Sequence, residues 1–301
     1  MSVALPTTTA TAGSTLRAWL ELTKPRIILL VLFTGLPAVL LAAHGVPSAR
    51  VFWGAGIGIV LSAASAASFN HYFDRDIDAL MVRTRTRPLP SGRLAPAAAA
   101  TLGLVLAWLA WTVLAVACNP FAALLAMSNI FYYAVVYTIW LKRRTPLNIV
   151  IGGGAGASAP VIAWAAVTGH VSLASLLIAG IVFMWTPPHF WALSLYRRDD
   201  YARAGIPMLP VTHGEAETRR QILAYSFALV ALTLVTGPLA GLGVLYFVSA
   251  ALLGAGFIAL ALRLYRRPGT PNASTLFRFS ILYLFALFLV MSVDAALRLR
   301  A

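Results

Sequence analysis

The stretch RVFWGAGIGIVLSAASAASFNHYFDRDID, residues 50–78, joins an apolar run long enough to cross a bilayer to a short acidic segment. The chain has 301 residues but only 9 acidic ones, and Asp74, Asp76 and Asp78 all fall within this short segment. Carboxylates at the edge of a bilayer are costly unless a cation holds them. The identity of that cation is therefore the main question about the function of the chain.

Apolar runs of similar length recur along the whole chain, which is 60% hydrophobic. Each is close to the roughly 20 residues that a transmembrane helix requires. Because lipid excludes unpaired backbone groups and the runs are too long for barrel strands, helices are the structure predicted. The runs predict an all-α, polytopic membrane protein with about nine transmembrane helices, approximately at residues 26–44, 50–73, 96–117, 119–141, 147–168, 172–195, 221–240, 242–263 and 276–297.

The basic residues follow the topology of a membrane protein rather than the surface of a nucleic-acid-binding protein. The net charge is +14, with 23 Lys and Arg residues. If the N-terminus is cytoplasmic, all of these except Arg50, Arg298 and Arg300 lie before the first run, in loops on the cytoplasmic side or at the cytoplasmic ends of the runs. This positive-inside pattern predicts a multi-pass membrane protein with a cytoplasmic N-terminus and no nucleic-acid partner. We expect it to be located in the plasma (inner) membrane of a bacterium.

The connections between the runs are short, so residues 1–301 are expected to form a single transmembrane domain surrounded by membrane lipid. Residues 1–15 are rich in Thr, Ala and Ser and are expected to be a flexible N-terminal tail. They contain no basic region followed by an apolar core, so we predict no cleaved signal peptide.

Asn70, Asp74 and Asp78 are spaced i, i+4, i+8 and so form one stripe along a helix. Like charges at this spacing destabilise a helix by roughly 0.2–0.5 kcal/mol, and carboxylates near a helix C-terminus also oppose its dipole. A bound divalent cation would remove both penalties. Oxygen ligands suit Mg²⁺, which binds through one or two carboxylates together with substrate phosphates. The stripe therefore predicts a Mg²⁺ site, with the arginines that follow it binding phosphate.

A second acidic pair, Asp199 and Asp200, follows the sixth run as the stripe follows the second. Alternating crossings place both acidic groups on the cytoplasmic side, which favours a shared site. The alternative is that the acids pair with arginines of their own loops and only finish their helices. The residues alone leave both interpretations open.

The motifs resemble those of the UbiA-type intramembrane prenyltransferases, and especially the heme-modifying branch of that superfamily. The resemblance is carried by LTKPRI (22–27), NHYFDRDIDALMVRTRTRPLPSGR (70–93), YTIWLKRRTP (137–146), NIVIGGGAGASAP (148–160) and TPPHFWALSLYRRDDYARAGIPMLP (186–210). The last stretch departs from the D-x-x-x-D second motif found elsewhere in the superfamily, because Tyr196 stands at the first of those positions. Which of Asp199 and Asp200 would contact metal is therefore left open.

The resemblance implies nine helices around a central cavity that opens to the membrane. It also implies Mg²⁺-dependent transfer of a farnesyl group from farnesyl diphosphate to a vinyl group of heme b, giving heme O for terminal oxidases. A heme A synthase or a terminal oxidase would then receive the product.

The resemblance further implies roles for particular residues, with one Mg²⁺ on the stripe and a second on the acidic pair. The implied metal ligands are Asn70, Asp74, Asp78, Asp199 and Asp200. The implied diphosphate-binding residues are Lys24, Arg26, Arg83, Arg87, Tyr137, Lys142 and Arg143.

The sixth run contains further candidates. His189 follows Pro187 and Pro188, which are expected to kink the helix, and at that depth it could contact heme or simply satisfy the kink. The aromatic residues near it could stabilise an allylic cation by cation–π attraction or could belong to the interfacial aromatic belt. They are Trp185, Phe190 and Trp191.

Two other functions remain open at this point. One is a UbiA-type prenyltransferase that acts on an aromatic or quinone precursor, which would share the metal chemistry and differ in the acceptor. The other is an ion-coupled membrane transporter, which would place ionisable groups near the middle of broken helices. The concentration of acids at one interface disfavours the transporter.

Overall fold

The computed structural model describes residues 12–298, with side chains described for residues 15–297, and every element in this part of the chain is a helix. The helices are α1 (Ala12–Thr23), α2 (Pro25–Ala42), α3 (Ala49–Leu80), α4 (Pro96–Ala117), α5 (Pro120–Phe131, continued as a π-helix over Tyr132–Leu141), α6 (Asn148–Gly156), α7 (Ser158–Thr168), α8 (Leu173–Tyr196), α9 (Arg198–Arg203), α10 (Leu209–Thr212), α11 (Gly214–Leu239), α12 (Val244–Arg266) and α13 (Thr270–Arg298).

Among the described residues, nine helical segments are long and apolar enough to cross a membrane, which confirms the predicted all-α membrane fold. They are Thr15–Ala42, Ala49–Leu80, Pro96–Ala117, Pro120–Leu141, Asn148–Thr168, Leu173–Tyr196, Gly214–Leu239, Val244–Arg266 and Thr270–Leu297. The largest difference from the predicted limits is in the first segment, which includes the separate helix α1. Most of the other large differences occur where a helix continues into polar residues. Hydropathy detects the part of a helix that suits lipid, whereas the helix itself continues for as long as its backbone bonds do.

The predicted N-terminal tail, residues 1–15, lies mostly outside the described residues. Its last four positions, 12–15, belong to α1. This helix packs its buried Ala18 and Leu22 against the end of α3 and the loop that follows it.

Lys24 separates α1 from α2 because its backbone lies in the left-handed region, with a φ of 54°. Pro25 follows at the first position of α2, where the lack of an N–H costs no helical hydrogen bond. Proline also disfavours right-handed helical geometry in the residue before it. The chain therefore turns at Lys24, whose side chain points to α3, as described below.

Helix α8 begins with a reciprocal pair of hydrogen bonds between Ser172 and Ser175 and continues through both prolines. The pair Pro187 and Pro188 was expected to kink this helix, and it does not end it. The hydroxyl of Thr186, just before the prolines, donates to Val182 O at 2.8 Å.

Small residues allow the longest helix to pack closely on its neighbour. A Cβ atom added to Gly58 of α3 would lie 2.4 Å from Leu114 of α4, and one added to Gly103 of α4 would lie 2.9 Å from Phe69. Ser65 also donates to Gly103 O at 2.8 Å. Such close approach is the usual basis of helix association in lipid.

An apolar cluster at one end of the bundle joins the segments that follow α3 and α8. It consists of Ile77, Met81, Ile149, Tyr201, Ile206 and Met208. Ile206 and Met208 belong to the turn-rich loop between α9 and α10, and each is only 2% exposed. The loop is therefore anchored on the end of α3, beside the acidic stripe.

Asp294, an acid to which the sequence assigned no role, is buried in α13 and serves the fold. Its carboxylate accepts hydrogen bonds from Gly243 N at 2.6 Å and Tyr246 N at 3.3 Å. These amides lie at the N-terminus of α12, where backbone N–H groups lack helical partners. Asp294 thus caps a neighbouring helix.

Candidate active site

The stripe residues lie on one buried face of α3. Asn70 is 3% exposed, Asp74 0% and Asp78 2%. The i, i+4, i+8 spacing brings them onto this face together, as the helical period requires. Three buried polar groups in a row are costly unless each has a partner.

The first two stripe residues have partners from distant segments. Lys24 Nζ donates to Asn70 Oδ1 at 2.5 Å, and Lys142 forms an ion pair with Asp74. Asn70 Nδ2 donates to Asp74 Oδ2 at 2.7 Å and to Thr138 Oγ1 at 3.1 Å. The structure therefore brings Lys24 and Lys142, two of the predicted diphosphate-binding residues, to the stripe, together with Thr138, to which the sequence gave no role.

The third stripe residue is bound by the loop that follows α3. Arg87 Nη1 lies 2.9 and 2.7 Å from the two carboxylate oxygens of Asp78. Thr84 Oγ1 donates to Asp78 O at 3.0 Å, which fixes the turn that returns Arg87 to the helix. Lys24 lies within electrostatic range of Asp78 and Arg87. We call Lys24, Asn70, Asp74, Asp78, Arg87, Thr138 and Lys142 the polar cluster.

The donor set of the polar cluster fits Mg²⁺. Asp74 Oδ1 is buried and has no hydrogen-bond partner in the part of the chain that the structure describes, whereas Oδ2 accepts from both Asn70 and Lys142. A buried acceptor without a donor costs about 1–3 kcal/mol, so this oxygen is available to a ligand. Asn70, Asp74 and Asp78 offer oxygen atoms, which are the ligands that Mg²⁺ prefers.

The protein does not complete a metal shell by itself. No three His, Cys, Asp or Glu side chains converge on a possible metal position within residues 15–297. Mg²⁺ characteristically keeps several waters and takes substrate phosphates as ligands. The arrangement therefore suits a cation that arrives with a phosphate-bearing substrate.

Asp76 lies outside the polar cluster although it belongs to the same acidic segment. Its side chain is 62% exposed and pairs with Arg143 through N–O distances of 2.7 and 2.8 Å. Arg143 Nη2 also donates to Phe73 O, and the hydrogen bond to Asp76 raises the pKa of Arg143. In this structure Arg143 is thus directed to Asp76 rather than to the stripe.

The π-helix at the end of α5 presents three site residues on one face. Tyr133 and Tyr137 stack with ring centroids 5.4 Å apart, and Thr138 Oγ1 donates to Tyr133 O at 2.7 Å. The bond from Lys142 N to Tyr137 O spans five residues, as in π-helical geometry. The wider turn brings Tyr137, Thr138 and Lys142 to the same side of the segment.

The second acidic pair is split between the interior and the surface. Asp200 is 6% exposed and accepts from Val82 N at 3.0 Å and from Arg203 Nη2 at 2.8 Å, whereas Asp199 is exposed. Burial alone would raise the pKa of Asp200, but Arg203 and the amides of Val82 and Arg83 hold it below its usual value. Asp200 therefore joins α9 to the loop that follows the stripe.

The two remaining diphosphate candidates are peripheral in this structure. Arg26 is exposed at the start of α2, and Arg83 is exposed in the loop after α3. Arg83 lies beside Tyr201, in which burial raises the pKa. Neither arginine has an ion pair among the described residues.

A cavity of about 270 Å³ lies beside the polar cluster, between α2, the π-helix, α6, α8 and α13. Tyr133 and Tyr137 line it and also lie next to the cluster, so they mark where the polar and apolar parts meet. Trp185 and Phe190 line it as well, in contrast to Trp191, which is buried against Tyr225.

The sequence missed Tyr133 and Asn148. Asn148 is fully buried and donates to Lys142 O at 3.2 Å, and its Oδ1 has no partner within the described part of the chain. Asn148 and Thr138 lie in stretches that carried the family resemblance, but neither has a charge to single it out. Their roles follow from where α6 and the π-helix meet.

His189 of α8 lines the cavity and lies outside the polar cluster. Its Nδ1 lies 2.6 Å from Ser280 Oγ of α13, and its ring stacks on Trp185 and Phe277. The sequence predicted this histidine as a candidate heme contact but indicated no partner for it.

Comparison with known proteins identifies relatives of the whole chain. Residues 31–289 match the UbiA prenyltransferase family. The chain is 49% identical over 287 residues to a protoheme IX farnesyltransferase of Parvibaculum lavamentivorans, covering 94% of this chain and 90% of the relative.

Solved structures share the fold at much lower identity. A structure described for digeranylgeranylglyceryl phosphate synthase in membranes has a TM-score of 0.78 at 19% identity, covering 94% of this chain and 99% of the other. A UbiA homolog from Archaeoglobus fulgidus bound to DMAPP and Mg²⁺ has a TM-score of 0.59 at 19% identity, covering 91% and 99%.

Proposed function

Since this chain belongs to the UbiA prenyltransferase family, we propose that it transfers a farnesyl group from farnesyl diphosphate to a vinyl group of protoheme IX (heme b), giving heme O and diphosphate. The new carbon–carbon bond forms as the bond to diphosphate breaks, and one water molecule then adds its hydroxyl to the former vinyl group and releases a proton. The near-full-length identity to a protoheme IX farnesyltransferase supports the choice of substrates. The observation that carries the chemistry is the junction of a buried, cation-rich polar cluster with an apolar, aromatic cavity.

The polar cluster binds the diphosphate end of the donor. Lys24, Arg87 and Lys142 supply three positive charges against two from Asp74 and Asp78, so the cluster carries a net charge of +1 and favours an anion. On binding, the phosphate oxygens replace the carboxylates as partners of Arg87 and Lys142 and the amide of Asn70 as the partner of Lys24. Fixed charges of this kind stabilise the negative charge that develops as diphosphate leaves.

Asn70, Asp74 and Asp78 are the residues that hold Mg²⁺, and the free Oδ1 of Asp74 supports this role. When bound, Mg²⁺ neutralises charge on the leaving diphosphate. We assign a second ion to Asp199 and Asp200, of which Asp200 contacts the loop that carries Arg87. The A. fulgidus homolog bound to DMAPP and Mg²⁺ supports a requirement for the metal.

The other predicted diphosphate residues surround this core. Tyr137 lies at the mouth of the cavity, and we place its hydroxyl beside the diphosphate. Arg26, Arg83 and Arg143 are exposed or half-buried at the same end of the bundle and add to the positive field that attracts the substrate.

The cavity receives the farnesyl chain and the reacting edge of the porphyrin. Its apolar lining excludes water from the allylic cation, and the faces of Trp185 and Phe190 stabilise positive charge by cation–π attraction. At about 270 Å³ it is slightly smaller than the roughly 300–1,000 Å³ of typical ligand sites. The surrounding helices must therefore separate when both substrates enter.

We place the protein in the plasma (inner) membrane of a bacterium, with its N-terminus and polar cluster facing the cytoplasm. The loops that bear Arg87, Lys142 and Arg203 all meet at this end of the bundle, and positive loops remain cytoplasmic. Farnesyl diphosphate then approaches from the cytosol, and heme O leaves towards a heme A synthase or a terminal oxidase.

The two alternatives have less support. A transporter would place its ionisable residues near the middle of broken helices, whereas the ion pairs of the polar cluster lie at one end and α8 is continuous. A prenyltransferase for aromatic or quinone precursors would have the same polar cluster, so only the identity of the acceptor separates it from our proposal.

The test is to incubate the purified protein with heme b, farnesyl diphosphate and Mg²⁺ and to record a mass spectrum of the extracted pigment. We expect a heme with the added hydroxyethylfarnesyl side chain, together with diphosphate, and neither product when EDTA replaces Mg²⁺. Farnesylation of a quinone precursor but not of heme b would refute the proposal that heme b is the acceptor. Absence of diphosphate release with every acceptor would refute the proposal that the protein is a prenyltransferase.

A further inference from the structure

The ring of His189 is enclosed on both faces. Trp185 stacks on it with centroids 4.1 Å apart and an interplanar angle of 19°, and Phe277 stacks at 4.6 Å and 25°. Two rings cannot share one face at such distances, so they cover opposite faces. The two stacked rings therefore prevent the imidazole from rotating about its bond to the Cβ atom.

One edge of the same ring is also occupied. His189 Nδ1 lies 2.6 Å from Ser280 Oγ, which is fully buried in α13. His189 nevertheless lines the cavity. Phe190, which also lines the cavity, lies perpendicular to the ring with centroids 5.2 Å apart. Because both faces and the Nδ1 edge contact protein and Nε2 has no hydrogen-bond partner among the described residues, the edge that carries Nε2 is the part left to face the cavity.

The hydrogen bonds of Ser280 determine which ring nitrogen carries the proton. Ser280 Oγ lies 2.7 Å from Phe277 O, and a carbonyl oxygen can only accept. The single hydroxyl proton therefore goes to Phe277 O, and Ser280 Oγ accepts from the Nδ1–H of His189. The other tautomer would leave two acceptors competing for one proton. Nε2 is thus unprotonated and presents a lone pair to the cavity.

Ser280 holds the stacking partner as well. Its backbone carbonyl accepts from Trp185 Nε1 at 2.7 Å. One residue of α13 thus fixes the indole that covers His189 and the tautomer of His189 itself. A histidine that merely fills a kink in α8 would not require either bond.

We propose that Ser280 is a positioning residue that directs the Nε2 lone pair of His189 to the iron of the tetrapyrrole substrate. Metal-binding histidines usually donate their second ring N–H to a fixed acceptor, and imidazole is a common ligand of heme iron. The inference rests on the proposed function, because it requires heme b to enter the cavity. It adds a residue, Ser280, and a stated atom, Nε2, to the acceptor site.

The experiment uses the full-length protein in detergent and two probes, heme b and metal-free protoporphyrin IX. We expect the Soret band of wild type with heme b to show imidazole ligation, and His189→Ala to lose this signature and regain it on addition of free imidazole. Ser280→Ala should weaken heme b binding by about 10-fold or more, as loss of a partner to a metal ligand does. Ser280→Thr should restore it.

Two controls isolate the iron contact. Metal-free protoporphyrin IX should bind wild type, His189→Ala and Ser280→Ala with the same affinity, because it offers no metal. Ser292→Ala alters another buried serine of α13, which donates to Phe288 O at 2.9 Å, and should leave the heme b spectrum unchanged.

Three outcomes would overturn the inference. Heme b that binds His189→Ala or Ser280→Ala with the affinity and spectrum of wild type would refute it and leave the proposed function intact, provided that wild type farnesylates the heme. If Ser280→Ala weakens the binding of heme b and of metal-free protoporphyrin IX equally, Ser280 only shapes the cavity and does not act through the iron. Failure of wild type to bind or farnesylate heme b would refute the proposed function as well.

Discussion

At the residue scale, the stripe shows how buried carboxylates are kept in a low-dielectric environment. Asp74 and Asp78 are almost fully buried, and each is paired with one cation. Removal of one partner from a buried pair leaves an uncompensated charge, which is far more costly than the loss of a surface pair. The same pairing holds the two cations, Arg87 and Lys142, beside the stripe.

The acidic segment supplies its own control for this role. We expect Asp74→Asn to lower diphosphate release by about 100-fold or more, because removal of one fixed electrostatic contact in an active site typically costs that much. Asp76→Asn, which changes an exposed carboxylate paired with Arg143, should stay within about threefold of wild type. Release of diphosphate from labelled farnesyl diphosphate measures both.

Folding is checked in the same preparations by size-exclusion chromatography in detergent. A folded Asp74→Asn protein with wild-type turnover would remove Asp74 from the metal and diphosphate site. Equal loss in both variants would mean that the whole segment, rather than the stripe, is required.

At the element scale, the position of the π-helix depends on a glycine of α6. A Cβ atom added to Gly152 would lie 2.3 Å from Cδ2 of Tyr137, closer than any real contact. The absence of a side chain at Gly152 thus allows Tyr137 to lie between the cavity and the polar cluster. The glycine-rich stretch serves helix packing, as small residues do in membrane proteins.

Gly152→Ala should displace Tyr137 or α6. We expect a loss of about 1–3 kcal/mol in stability, the usual effect of overpacking, together with a KM for farnesyl diphosphate raised by about 10-fold. Gly156→Ala on the same helix meets no atom within 4 Å and should retain wild-type thermal stability. Thermal unfolding in detergent and steady-state kinetics test this. An unchanged KM in Gly152→Ala would separate Tyr137 from diphosphate binding.

At the scale of the whole molecule, the site is assembled from segments far apart in the chain. The contact of Asp200 with Val82 spans 118 residues and joins the loops that follow α3 and α8. The apolar cluster around Ile77 and Tyr201 packs the same two segments together. Both acidic groups therefore belong to one end of one bundle.

Loss of this link should loosen this end of the bundle. Asp200→Ala is expected to cost about 1.5–3 kcal/mol, the typical contribution of hydrogen bonds to a charged group, and to speed proteolysis of the loop at 81–95. Because the pKa of Asp200 is lowered on folding, its contribution is present at neutral pH and is lost as the pH falls below the ordinary value of 3.8. Asp199→Ala, at an exposed position, is the matched control for stability.

The measurement is thermal unfolding of wild type and both variants at neutral and acidic pH. The difference between wild type and Asp200→Ala should shrink as the pH falls. A difference that is constant with pH, or one that Asp199→Ala shares, would contradict an ionised Asp200 as the link.

The sequence predicted the nine apolar helices and the stripe because both follow from short-range regularities. Hydropathy over roughly 20 residues identifies a membrane span, and the helical period places Asn70, Asp74 and Asp78 on one face. The sequence predicted six basic residues as candidates to bind diphosphate. Three of them belong to the polar cluster (Lys24, Arg87 and Lys142) and three lie outside it (Arg26, Arg83 and Arg143), a distinction that the sequence pattern alone cannot make.

Only the tertiary structure decided which of these residues meet. Lys24 reaches Asn70 across 46 residues, Lys142 reaches Asp74 across 68, and Ser280 reaches His189 across 91. Contacts at such separations depend on how the helices pack, on the turn at Lys24 and on the π-helix, and none of these is encoded in local periodicity. The sequence by itself therefore determined the membrane architecture and the type of chemistry. The packed bundle determined which side-chain atoms meet at the site. Apolar surface places a helix in the membrane, whereas buried polar partners determine how the helix is rotated about its axis.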